Sequence, residues 1–98
     1  MRTDGIPKSF HLAGHTITVV FVPKTKWKNG KAAIGMWLPD AYRIEIVNGL
    51  SPTSRQQVFC HEFMHALLDV ACYHKMSEDE ILVDRLAHLL AQAMTSFA

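Results

Sequence analysis

Residues 57–71, QVFCHEFMHALLDVA, constrain this chain more than any other stretch. Ser51 is a good N-cap and Pro52 suits the first position of a helix, so the pattern predicts a helix from Pro52 to about Cys72. Phe, Met, Leu, Ala and Val fill most of it, and polar side chains at positions 61, 62 and 65 cost free energy on such a surface unless they serve a purpose. A fold for this chain must bury the apolar part of that helix and give His61, Glu62 and His65 something to do.

The preceding segment reads as strands. FHLAGHTITVVFVP (Phe10 to Pro23) is rich in β-branched and aromatic residues around Ala13-Gly14, which predicts a short strand, a tight turn and a longer strand over Thr16 to Val22. Ala33 to Leu38 suits a second strand, stopped by Pro39-Asp40. Tyr42 to Val47 is a third, with Ile44 and Ile46 on one face and Arg43 and Glu45 on the other. That alternation predicts a strand packed on one side, wet on the other and near a sheet edge. Lys24 to Lys31 holds four lysines, a tryptophan and an Asn-Gly turn signal, and reads as a solvated loop tip. Beyond the motif helix, Tyr73 to Met76 forms a short turn and Ser77 caps a second helix. Its Leu82, Leu86, Leu89, Leu90, Ala93 and Phe97 recur at helical spacing, as a core stripe does. The order β-β-β-α-α predicts a single α+β domain over residues 1–98: a three-stranded sheet packed on the motif helix, followed by a second helix.

Several classes of partner are disfavoured by size and charge. Ninety-eight residues suffice for one core but not two, and a formal charge of +1 gives no global electrostatic case for nucleic acid. The opening MRTDGIPKSF lacks the apolar run of a secretory signal, and no stretch approaches the roughly 18 apolar residues of a membrane span. The expectation is a soluble, intracellular, cytoplasmic protein with no nucleic-acid or membrane partner; the sequence does not define its oligomeric state. Cys60 and Cys72, ~18 Å apart along one helix and without a CxxC partner, are expected to be buried free thiols.

His61 and His65 stand at i and i+4 on one helical face, about 6 Å apart in rise, so both imidazoles can reach one ion. Glu62, turned away from direct coordination, can hydrogen-bond a metal-bound water, accept its proton and pass it to a leaving amine. Imidazole and carboxylate ligands on helices favour zinc over manganese, nickel or iron. A catalytic zinc usually takes three protein ligands plus water, and the candidates for the third are Asp69, His74, Glu78, Asp79, Glu80, Asp84 and His88.

HEFMH with a downstream acidic helix resembles the zincin metallopeptidases, specifically their gluzincin branch. The larger frame, from ITVVFV through GMW, RIEIVNGLS and VFCHEFMHALLD to EILVDRLAHLL, is similar to small phage- or prophage-encoded metallopeptidases. The resemblance implies a minimal zincin that hydrolyses a peptide bond in a peptide or protein substrate, with zinc as cofactor and Glu62 as general base. The elongated metzincin motif does not apply, because Leu68 and Ala71 stand where it needs glycine and histidine. In the gluzincin pattern Glu80 binds the metal and Asp84 orients a ligand histidine.

Two physical arguments favour Asp84 as the third ligand over Glu80. Ser77-x-x-Glu80 is a capping box, which gives Glu80 a structural task. A helical hairpin turning near residues 74 and 75 pairs His65 with Asp84 and His61 with His88, and leaves Glu80 opposite Asp69, about one turn (~5.4 Å) away. If the first helix ends early, near Asp69, the register shifts toward Glu80. Asp69 either hydrogen-bonds His65 or a residue of the second helix or faces solvent, and His88 either steadies the site or a developing oxyanion or packs between helices. A substrate strand is expected to pair with the Tyr42 to Val47 edge. The competing reading is a non-catalytic, zinc-stabilised protein-binding module, with no second lobe to wall a substrate cleft. A weaker one is a DNA-associated protein using the Lys24 to Lys31 loop.

Overall fold

The computed structural model describes residues 5–23 and 34–97; the Lys24 to Lys31 loop lies outside them. In chain order the elements are β1 (Ser9–Leu12), β2 (His15–Val22), β3 (Gly35–Leu38), a 3-10 turn (Pro39–Ala41), β4 (Arg43–Val47), α1 (Pro52–Val70), α2 (His74–Ser77) and α3 (Glu80–Ser96). The architecture is α+β, with a four-stranded mixed sheet in the order β1-β2-β4-β3. Among the described residues no helix is long and apolar enough to cross a membrane.

The sheet has four strands rather than three because the short segment at residues 9–12 pairs along its whole length with β2, from Ser9↔Thr18 to Leu12↔His15. The turn joining them places Ala13 (φ +48°) and Gly14 (φ +81°) in the left-handed region, the conformation that matches the natural twist of a two-residue hairpin. β2 and β4 run parallel, whereas β3 pairs antiparallel with the far side of β4. A parallel pair requires a long crossover, and here the crossover carries β3 out to the edge before the chain returns.

β4 is therefore central, and the expectation of an edge strand at Tyr42 to Val47 is overturned. Ile44, Glu45, Ile46 and Val47 are all buried. The alternation misled because Glu45 keeps its polarity while buried: Oε2 lies 3.3 Å from Arg43 Nε on the same strand. The edge that borders α1 is β3.

Ile17, Val19, Ile44 and Ile46 form the sheet's side of the core, facing Val58, Phe59 and Met64 of α1. α3 closes the layer with Val83, Ala87 and Ala91. Its buried stripe thus lies beside the predicted leucine positions: Leu82, Leu86, Leu90 and Ala93 are half-buried, and Leu89 and Phe97 are 63% and 72% exposed. Small residues win the interior positions because they let two helices approach closely.

α1 begins as the sequence predicts, with Ser51 Oγ accepting the Ser54 N–H, but it stops at Val70. Cys72 takes a left-handed conformation (φ +68°). Its N–H donates to the Asp69 carbonyl at 2.9 Å, and the Tyr73 N–H donates to the Leu68 carbonyl at 2.8 Å. These two bonds define a helix-ending motif whose left-handed position is usually glycine. Cys72 is exposed rather than buried, whereas Cys60 is buried and its thiol is pushed up to about 11 by burial. Asp79, not Ser77, caps α3 by accepting the Leu82 N–H at 3.1 Å. No capping box engages Glu80.

A side chain in the left-handed region costs about 1 kcal/mol that glycine does not incur. Cys72→Gly is expected to raise the thermal midpoint by roughly 4 °C or more in calorimetry. A lower midpoint would show that the thiol makes contacts outweighing the backbone strain.

Candidate metal centre

One helical turn brings His61 and His65 onto the same face of α1, with ring centroids 5.0 Å apart. Glu80, the first residue of α3, spans them: Oε2 is 3.1 Å from His61 Nε2 and Oε1 is 3.1 Å from His65 Nε2. Donor atoms of the three residues lie within 4.8 Å of one another. Two imidazole nitrogens and a carboxylate at this spacing could hold a metal ion. The Glu80 side chain is 66% exposed, so the cluster opens to solvent.

Asp84, the residue favoured from the hairpin register, sits elsewhere. Its Oδ1 is 3.6 Å from His61 Nδ1, on the opposite nitrogen from the one that Glu80 approaches. A hairpin register that sets Asp84 opposite His65 requires one long helix and a bare turn. With α1 ending at Val70 and α2 occupying residues 74–77, α3 enters one turn later and presents Glu80 first. The Asp84 carboxylate instead stands on the Nδ1 side of the His61 ring. His88 is tied to that residue too, its Nδ1 3.0 Å from the Asp84 carbonyl and 3.8 Å from Oδ1. Asp69 does not bond His65; it accepts from the Trp37 indole N–H at 2.8 Å and pairs with His74 Nδ1 at 3.1 Å.

Ser77 is a residue that the sequence reading assigned to the wrong task. It is 5% exposed, with Oγ 3.2 Å from His65 Nδ1 and 3.3 Å from the His65 carbonyl. A hydroxyl has one proton; donating it to the carbonyl leaves the oxygen to accept Nδ1–H. That arrangement fixes the tautomer of His65 and frees Nε2 to face Glu80. No spacing rule links positions 65 and 77, so only the folded chain reveals the contact.

Glu62 is buried at 9% exposure, on the side of α1 that meets β3. Gly35 allows this approach: a Cβ there would collide with Val58 Cγ1 and press on the Glu62 side chain. Burial pushes the Glu62 carboxyl up to about 7; the nearby His61 opposes that shift, Glu80 reinforces it, and a hydrogen bond from the Trp37 backbone N–H opposes it. A cleft of about 280 Å³ runs past Gly35, His61, Glu62, Asp84 and His88.

Comparison with family models, curated proteins and solved structures returns no match.

Two outcomes follow from these contacts. Ser77→Ala should weaken zinc affinity about 10- to 100-fold in a chelator competition while the circular dichroism spectrum is unchanged. Unchanged affinity would mean that the hydroxyl does not hold the ring. In the metal-free protein, Glu62 has a folded-state pKa above its ordinary value of 4.5. The stability it contributes is full below that value and is lost as pH rises through about 7. Glu62→Gln should gain on wild type by up to about 3 kcal/mol between pH 5 and 8 in urea unfolding. Parallel profiles for the two proteins would contradict the burial of this carboxyl.

Proposed function

We propose that this chain is a zinc-dependent peptidase of minimal zincin architecture. His61, His65 and Glu80 hold the metal, Asp84 and Ser77 orient the two imidazoles, and Glu62 is the general base. The observation that carries this reading is the Glu80 carboxylate, which reaches both Nε2 atoms beside a buried glutamate whose pKa lies near 7. A zinc ion bound there would supply a polarised carbonyl and a more acidic water.

The chain's own residues account for the rest. Glu62 sits next to His61 but faces β3, so it accepts a proton rather than ligating. A base that titrates near neutrality can take that proton and release it to the leaving amine. The Trp37 N–H holds the carboxylate in place from the edge strand. An extended peptide would pair along β3, Gly35–Leu38, and lay its carbonyl across the cleft. That edge replaces the one expected at β4, which is paired on both sides.

The alternative is a non-catalytic zinc-stabilised binding module. It gains from the fact that the three donors come from two helices, so one ion would staple α1 to α3. The two readings part on Glu62→Gln. For the peptidase, cleavage of a quenched fluorescent peptide library by zinc-loaded protein should fall at least 100-fold while zinc stoichiometry holds and the thermal midpoint does not fall. Equal cleavage by variant and wild type would remove Glu62 from the mechanism. Absence of any cleavage by the zinc-loaded wild type would favour the binding module.

A further inference from the structure

A second cleft, of about 380 Å³, opens beyond the other end of β3 and is lined by His15, Trp37, Pro39, Tyr42, Asp69 and His74. Its walls are aromatic: the His15 and Tyr42 rings stack at 4.4 Å with 14° between their planes. Among the described residues its only carboxylate is Asp69, with a side chain 22% exposed. Among the described residues no lysine or arginine pairs with Asp69, whose partners are the Trp37 indole and the His74 ring. A neutral N–H donor orients a carboxylate without cancelling its charge, and a carboxylate accepts about four hydrogen bonds. An oriented negative charge at the base of an aromatic-walled cleft selects for a cation: the faces attract it and the oxygens pair with it.

We propose that this cleft binds the side chain of an arginine or lysine in a peptide lying along β3. Its position suits that use. Gly35 and Trp37 both face α1, two residues apart on the edge strand: Gly35 lies against Glu62, and the Trp37 indole reaches Asp69 in the cleft. A peptide paired with that strand carries one side chain past Glu62 and another, two residues away, into the cleft. Its role as a substrate pocket rests on the peptidase reading, but its binding of a cation does not. Arginine is the better occupant, because its planar guanidinium stacks on aromatic faces and pairs with both carboxylate oxygens.

The Trp37 indole N–H donates to Asp69 and so reports on that carboxylate directly. Its NMR cross-peak, separated from that of Trp27 with a Trp27→Phe variant, would be followed at pH 8 while N-acetyl-arginine amide is added. N-acetyl-citrulline amide, of nearly the same shape but uncharged, serves as the control. A saturable shift with the arginine amide, at least tenfold weaker with citrulline and at least tenfold weaker in Asp69→Asn, is expected. Equal response to the two amides, or no saturable shift in the wild type, overturns the proposal. Because no turnover is involved, an active peptidase can fail this test and an inactive chain can pass it.

Discussion

The Glu80 carboxylate bridges two imidazoles only because α1 stops at Val70 and a single helical turn, α2, takes up chain before α3 begins. A left-handed residue at position 72 and two backbone bonds to Asp69 and Leu68 enforce that stop. Were α1 to continue even one more turn, α3 would slide along it by about 5 Å and Asp84 would approach the pair instead. The placement of His61, His65 and Glu80 is thus settled by backbone geometry several residues away from each of them.

The sheet supplies a second constraint. β3 is an edge strand, yet neither of its polar reporters is free. The Trp37 backbone N–H bonds Glu62, and its side chain bonds Asp69. One residue on the edge therefore holds a carboxylate on each of two turns of α1. Gly35 makes this possible, since any larger residue would push β3 away from Val58 and Glu62. Close contact between strand and helix is also what dries the Glu62 environment and raises its pKa.

Features set by local chemistry were legible in the sequence. The Ser51-Pro52 start of α1, the Ala13-Gly14 hairpin and the shared face of His61 and His65 each depend on neighbours within a few residues. What failed depends on long-range partners. Alternation in RIEIV signals one dry face, but it does not say that β2 and β3 flank the strand or that Arg43 will lie beside the buried Glu45 carboxylate. A Ser-x-x-Glu string signals a cap, but the real cap lies at Asp79, leaving Ser77 free to turn toward His65. Cys72 carries no glycine signature of a helix end, so α1 was read two residues too long. That error and the imagined capping box each favoured Asp84. The alternative assigned by the gluzincin resemblance, with Glu80 toward the metal and Asp84 toward a histidine, matches the distances better.

Positions 61, 65 and 69 share one face of α1 at successive turns, and the fold gives each a different companion. His61 has Asp84 behind it, His65 has Ser77 behind it, and Asp69 is held by Trp37 and His74. At each turn a neighbouring element contacts the side chain, which restricts its rotamers before any ligand arrives. The companions come from β3, α2 and α3, which is why one helix in a 98-residue chain can carry both the proposed metal centre and the proposed cation cleft. Spacing of ~5.4 Å per turn then acts as a ruler: a substrate laid along β3 would meet the proposed zinc site and the Asp69 carboxylate at separations that the helix itself dictates.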